Sequence, residues 1–223
     1  MAKLALLHRM AMAVPILVSL LLSFQHAGAL SQPTTTAIPP ASSNSTSFIQ
    51  LSCKSTRYPS LCVECLSSYA GVIRENDQAL ARVSLSVTLS RARQAVAFVG
   101  GLSHGQGISH REFRAIRDCV ANLGGSVDRL VQSIDEMDKM AKSAPGDDFD
   151  WHVSNVQTWI SGALTSENTC LDGFAGRAMD GNIKTSVSAK VLDLTRVTSN
   201  ALALMDRFLT RQKRSAAHGH YSP

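Results

Sequence analysis

The stretch 109-SHREFRAIRDCVANLGGSVDRLVQSIDEMDKMA-141 decides the fold class of this chain of 223 residues. It opens with Ser109 and Glu112, which can form a capping box because the side chain of each can bond the free backbone amide of the other. Gly124 and Gly125 weaken the predicted helix locally, by about 1 kcal/mol each relative to alanine. Apolar residues recur at alternating steps of three and four, which is the seam of a helix in a coiled-coil-like bundle: Phe113, Ile116, Val120, Leu123, Val127, Leu130, Ile134, Met137 and Ala141.

Three further segments show the same helical periodicity, at 76–102, 151–174 and near 186–209. Short connections join them, and no run alternates as a strand would. The connection 143-SAPGDDFD-150 carries three aspartates, which we place in a loop where they favour the positive N-terminal end of the next helix. We therefore predict an all-α fold, an antiparallel up-down four-helix bundle.

Residues 1–29 have the three parts of a secretory signal: a basic start, an apolar run and the small residues 27-AGA-29. The apolar run is shorter than the roughly 20 residues that span a bilayer as a helix. We predict cleavage after Ala29 and a secreted product with no membrane association afterwards. Residues 30–46 are rich in Ser, Thr and Pro, which predicts a disordered leader with a glycosylation sequon at Asn44.

Charge lies mainly at the two ends of the chain. The full chain carries +5, and removal of Lys3 and Arg9 with the signal leaves +3. Four basic residues after position 206 account for a further +4, so residues 30–206 carry about −1. A nucleic-acid-binding protein would concentrate basic residues on a folded face, so we exclude that class. We predict a folded domain at 47–210 and a basic flexible tail at 211–223.

Three of the five cysteines lie in 53-CKSTRYPSLCVEC-65. Thiols in an oxidising compartment pair, and a lone CxxC without a second pair is no zinc site. Pro59 disfavours helix at Tyr58, so the stretch is predicted to be a helix, a turn and a helix closed by a bond between Cys53 and Cys62. An antiparallel helix pair could bring Cys119 within disulfide reach of Cys170. An odd total leaves Cys65 unpaired or paired between chains.

Four stretches together resemble the plant invertase/pectin methylesterase inhibitor domain: 48-FIQLSCKSTRYPSLCVECLSSYA-70, the pair 117-RDC-119 and 126-SVDRL-130, 154-SNVQTWISGALTSENTCLDGF-174 and 194-LTRVTSNALAL-204. The resemblance covers residues 47–210 and implies an N-terminal helical hairpin ahead of the bundle. It also implies the pairings Cys53–Cys62 and Cys119–Cys170. A further cysteine, here Cys65, is tolerated in some members of the family.

The resemblance implies a protein that binds a carbohydrate-active enzyme stoichiometrically and covers its active-site cleft. Nothing in the sequence predicts catalysis, a cofactor or a metal site, because His104, His110 and His152 lack any partner motif. A Pro-Lys-Phe motif common in invertase inhibitors is absent from 142-KSAPGDDFD-150. The favoured partner is therefore pectin methylesterase, bound 1:1, and the alternative is acid invertase.

By motif position, the resemblance assigns enzyme contacts to Asp118 and Asp128 on the second bundle helix and to Thr169 and Asp172 around Cys170. Their expected role is hydrogen bonding to polar groups at the mouth of the cleft. One departure matters: 120-VANLGG-125 lacks the acidic residue and the Leu-Tyr pair that are common in the family. The two glycines are expected to loosen this face, which predicts lower affinity or a different preferred isoform.

Overall fold

The computed structural model describes residues 43–143 and 147–219. Within them the chain forms seven α-helices and no strand, which confirms the all-α prediction. Two 3-10 turns, Ser67–Tyr69 and Arg177–Met179, interrupt the connections. The helices are α1 (Ser43–Cys53), α2 (Pro59–Leu66), α3 (Ala70–Ile73), α4 (Asp77–Leu102), α5 (His110–Met140), α6 (Asp147–Asp172) and α7 (Asn182–Gly219). The predicted signal and most of the leader lie outside the described residues.

The four long helices form the bundle, in which α5 and α7 each pack against both α4 and α6. Side-chain pairs join the start of one helix to the end of its neighbour, so each neighbouring pair runs antiparallel, as predicted. These pairs are Arg82–Asp138 between α4 and α5, Cys119–Cys170 between α5 and α6, Gln157–Asp206 between α6 and α7, and Asp77–Arg207 between α4 and α7.

Helix α5 begins with the predicted capping box. The Ser109 hydroxyl accepts from the Glu112 amide at 3.2 Å, and the Glu112 carboxylate accepts from the Ser109 amide at 2.9 Å. The seam is buried through the middle of the helix, at Ile116, Leu123, Leu130 and Met137. The two ends of the predicted seam are wrong, because Phe113 is 47% exposed and Ala141 is exposed as well.

Three predicted boundaries are also wrong. Helix α1 begins at Ser43, inside the stretch expected to be disordered, and its burial of Ser45 and Ile49 explains why it folds. Helix α6 begins at Asp147, so the three aspartates form its first turn and do not lie in a loop. Helix α7 continues through 211–219, where a flexible tail is expected, and Arg211 binds Asp77 at 3.0 Å.

The N-terminal hairpin of α1 and α2 is closed by the predicted bond between Cys53 and Cys62, with Cα atoms 5.6 Å apart. Asn200 on α7 binds the turn between α1 and α2. Its side chain accepts from the Tyr58 amide at 3.0 Å and donates to the Tyr58 carbonyl at 2.9 Å. The hairpin encloses a small apolar cluster with Leu80 and Leu204 of the bundle. The hairpin is therefore fixed to the α4–α7 side, which leaves the α5–α6 side uncovered by it.

Candidate functional site

The disulfide between Cys119 and Cys170 gathers three of the four predicted contact residues at one end of the α5–α6 pair. Its Cα atoms lie 4.3 Å apart, which confirms the predicted pairing. Asp118 and Thr169 directly precede the two cysteines, and Asp172 is the last residue of α6. Asp128 lies ten residues beyond Asp118 on α5, about 15 Å along the helix axis. All four side chains are exposed.

This surface is rich in hydrogen-bond acceptors. The Thr169 hydroxyl donates to the Thr165 carbonyl at 2.9 Å, and the Thr165 hydroxyl donates to the Ser161 carbonyl at the same distance. Because those hydroxyl protons are used within the helix, the oxygens remain free to accept. Asp118 pairs with Arg117 at 3.3 Å, and because both side chains are mostly exposed this is a weak pairing. The surface can therefore receive a partner's donors.

Arg129 is the cation that lies across this acceptor-rich surface, and sequence reasoning missed it. Its Nη1 donates to the Gly125 carbonyl at 3.0 Å and to the Ser166 hydroxyl of α6 at 3.1 Å. A Cβ at Gly162 would meet the Arg129 Cδ at 2.9 Å, and one at Gly125 would meet Nη1 at 3.0 Å. Helix α5 runs unbroken through Gly124 and Gly125. The glycines therefore do not interrupt the helix, and Gly125 makes room for the guanidinium.

A fully buried glutamate, Glu167, lies beneath the surface and one turn from Cys170. Its Oε1 accepts from Ser126 of α5 at 2.7 Å and from Thr198 of α7 at 2.9 Å. Its Oε2 is buried without a partner in the described part of the chain. Burial raises the pKa of Glu167 to about 7, although the two hydroxyl bonds oppose the shift. Glu167 therefore joins three bundle helices through one carboxyl group.

A second buried glutamate, Glu136, lies nearer the other end of the α5–α6 pair. It accepts from Lys139 at 2.7 Å and from Asn155 at 3.3 Å, and it bonds His152 Nδ1 at 2.6 Å. Burial alone would raise the pKa of Glu136, but these hydrogen bonds outweigh it and lower the pKa to about 2. His152, predicted to lie at a helix end or in a loop, is instead within α6 as part of this cluster.

The cysteine chemistry follows the sequence prediction. Cys62 is bonded to Cys53, so the Cys62–Cys65 pair is not available as a metal site. Cys65 is a free, half-buried thiol whose sulfur accepts from Arg91 Nη2 at 3.3 Å. Burial raises the pKa of this thiol, and Arg91 opposes the shift. Across the described ranges, no three His, Cys, Asp or Glu side chains are grouped to hold a metal ion.

The family model described as plant invertase/pectin methylesterase inhibitor matches residues 47–204. The chain belongs to this family. Membership confirms the resemblance and the expectation that the protein is not an enzyme. Pectinesterase inhibitor 9 of Arabidopsis thaliana is 48% identical to this chain, over 78% of this chain and 86% of that protein. Pectinesterase inhibitor 11 of the same plant is 49% identical, over 72% of this chain and 80% of that protein. The 21 kDa protein of Daucus carota is 48% identical, over 74% of this chain and 86% of that protein.

The fold of this family member is also that of a solved inhibitor. A crystal structure of a mutant form of a pectin methylesterase inhibitor from Arabidopsis has a TM-score of 0.55, with 23% identity over 69% of this chain and 92% of that one. In the residues that the structure describes, no helix is long and apolar enough to cross a membrane.

Proposed function

We propose that this family member is a secreted inhibitor of pectin methylesterase that binds the enzyme 1:1 and covers its active-site cleft. The observation that carries this proposal is the identity of 48–49% to two pectinesterase inhibitors over more than 70% of the chain. The partner would be excluded from its substrate by occlusion, without any covalent step. Regulation of pectin de-esterification in the cell wall is the expected consequence.

The enzyme-facing surface in this proposal is the α5–α6 face with Asp118, Asp128, Thr169 and Asp172. Its support is chemical: carboxylates and outward-facing hydroxyl oxygens suit a partner that presents N–H and O–H donors at the cleft mouth. The hairpin packs against α4 and α7, on the other side of the bundle from this face.

Secretion and glycosylation are part of the same proposal. Residues 1–29 would direct export, and an oxidising compartment suits the two disulfides. Asn44 is exposed in the first turn of α1, so its side-chain amide is open to solvent for glycan attachment. Mass spectrometry of the protein from a plant host, with and without glycosidase, tests both the cleavage after Ala29 and the glycan.

Acid invertase is the second candidate partner because the family model names both enzymes. A paired titration separates the two. Purified protein 30–223 with intact disulfides is titrated into plant pectin methylesterase and, separately, into acid invertase at mildly acidic pH. Saturating loss of esterase activity alone, near one equivalent, is the expected result. Loss of invertase activity alone would overturn the choice of partner, and loss of neither would overturn the proposal.

A further inference from the structure

Arg129 is held in one position by contacts from both helices of the α5–α6 face. The carbonyl of Gly125 and the hydroxyl of Ser166 both accept from the same nitrogen, Nη1. The Cδ and Nε atoms of the side chain lie against α6 at Gly162, where a Cβ would come within 2.9 Å of Cδ and 3.0 Å of Nε. The side chain is half-buried. These contacts order the side chain before any partner arrives, which lowers the entropy lost on binding.

The other edge of the guanidinium carries no hydrogen bond to the described part of the chain. Nε and Nη2 donate to no acceptor among residues 43–143 and 147–219. A guanidinium offers five N–H donors in a planar fork, and an adjacent pair of its nitrogens matches the two oxygens of a carboxylate. A bridge between α5 and α6 needs only Nη1. The helix contact therefore leaves a complete two-donor edge unused.

The position of that edge is informative because, apart from the exposed Arg117 beside Asp118, the surrounding face is acidic or acceptor-rich. Asp128 is the preceding residue, and Thr165 and Thr169 supply outward-facing oxygens on α6. A partner that presents donors to this face would meet one fixed cation within it. Such a cation sets the register of docking, since a donor opposite Arg129 would be repelled and a carboxylate would be bound.

We propose that Arg129 is a specificity-determining residue that pairs through Nε and Nη2 with a carboxylate of the bound esterase. Gly125 and Gly162 act as positioning residues because they provide the space in which the side chain lies. This inference rests on the proposed function. It goes beyond that function by assigning the partner an acidic group opposite the middle of the α5–α6 face.

Four variants test the pairing by the dissociation constant for pectin methylesterase. Arg129→Met removes the guanidinium and should weaken binding by about tenfold to a hundredfold. Arg129→Lys keeps the charge without the planar fork, so its loss should be intermediate. Gly162→Ala keeps Arg129 but displaces it, and should weaken binding while leaving the melting temperature unchanged or higher, since alanine favours helix. The matched control is Arg93→Met, an exposed arginine on α4, which should not change affinity.

The double variant Arg129→Met/Gly162→Ala gives the sharpest readout. If Gly162 acts only through Arg129, the double variant binds no more weakly than Arg129→Met alone. Additive losses, or wild-type affinity in Arg129→Met, would overturn the proposal and leave Arg129 as a bridge between helices. Full affinity in Arg129→Lys would overturn the two-donor geometry. Failure of the wild-type protein to bind any esterase would overturn the proposed function itself, which is a distinct result.

Discussion

Glu136 and Glu167 are both buried in the α5–α6 seam, yet their carboxyl groups respond to burial in opposite ways. Glu136 receives bonds from an ammonium, an imidazole and an amide, and its pKa falls to about 2. Glu167 receives bonds from two hydroxyls, and its pKa rises to about 7. Burial penalises both anions, so the difference lies in the number and charge of the donors.

Thr198 shows why protonation suits the Glu167 site. Its hydroxyl has one proton but two acceptors in reach, Glu167 Oε1 at 2.9 Å and the Leu194 carbonyl at 3.0 Å. A proton on Glu167 lets that carboxyl group donate to Thr198 while Thr198 donates to Leu194. The comparison shows that a buried carboxylate stays charged where its donors include a cation, as at Glu136, and that two neutral hydroxyls do not offset burial at Glu167.

The two sites also predict opposite pH dependences of stability. The folded state holds the Glu167 proton more tightly than the unfolded state does, so the free energy of unfolding falls as pH rises from about 4.5 to about 7. The folded state holds the Glu136 proton less tightly, so that free energy falls as pH drops from about 4.5 towards 2. Both terms favour a stability maximum in mildly acidic solution.

The largest effect should come from replacing Cys119 and Cys170 together with serine. Their separation of 51 residues predicts a loss of about 4 kcal/mol in the free energy of unfolding. Because Cys170 is one turn from Glu167, the loosened helices should also admit water and reduce the pH dependence between 4.5 and 7. Urea unfolding at pH 5 and 7.5 measures both. The matched control, serine at Cys53 and Cys62, should lower stability but leave that pH dependence intact.

Glu167→Gln should have the next largest effect, and it should stabilise. At pH 7.5 the neutral amide avoids ionisation of a buried acid, so the free energy of unfolding should rise by about 3 kcal/mol. At pH 5 it should change little. Glu64→Gln, at an exposed glutamate in the hairpin, is the control and should be neutral at both values. Equal stability of wild type and Glu167→Gln at pH 7.5 would show that water reaches the site.

Glu136→Gln should act in the opposite direction. It removes the charge that binds Lys139 and His152, so the free energy of unfolding at pH 6 should fall by about 1.5 kcal/mol. The loss is no larger because solvent around the exposed Lys139 weakens its attraction to Glu136. The difference from wild type should shrink as pH falls from about 4.5 towards 2, because the glutamate of the unfolded state takes up its proton first. Asp135→Asn, at an exposed neighbour, is the control. A destabilisation that is independent of pH would contradict the assignment of charge.

Thr198→Val should give the smallest change, about 1 kcal/mol in the free energy of unfolding at pH 5. Removing one of two donors should raise the pKa of Glu167 further and move its pH dependence upward. Carbon-detected NMR titration of the Glu167 carboxyl group measures the direction. A downward movement would mean that Thr198 does not donate to the anion.

The bundle could be predicted because its signals are local. The capping box at Ser109 and Glu112, the three-and-four spacing of α5 and the turn at Tyr58-Pro59 each depend on residues near one another in sequence. The helix ends were harder because tertiary contacts extend them. Arg211 lies one residue beyond the predicted domain end and binds Asp77, and no local pattern indicates a partner so distant.

The candidate site shows the same division. The two disulfide pairings and the positions of Asp118, Asp128, Thr169 and Asp172 came from motifs, and the pairings are confirmed while the contacts remain predictions. Glu167 lies inside the stretch 154–174 that resembles the family, but its role depends on Ser126 and Thr198 from two other helices. The position of Arg129 could not be predicted, because the space that it occupies is made by Gly125 on α5 and Gly162 on α6 together.

Carboxyl footprinting of the inhibitor, alone and bound to pectin methylesterase, tests the central claim most directly. Carbodiimide coupling labels exposed carboxylates, and mass spectrometry locates the label. Labelling of Asp118, Asp128 and Asp172 should fall on binding, while Asp148 and Asp150, exposed at the far end of α6, should be labelled as before. Unchanged labelling of the first three in a saturated complex would contradict the α5–α6 face as the enzyme-binding surface.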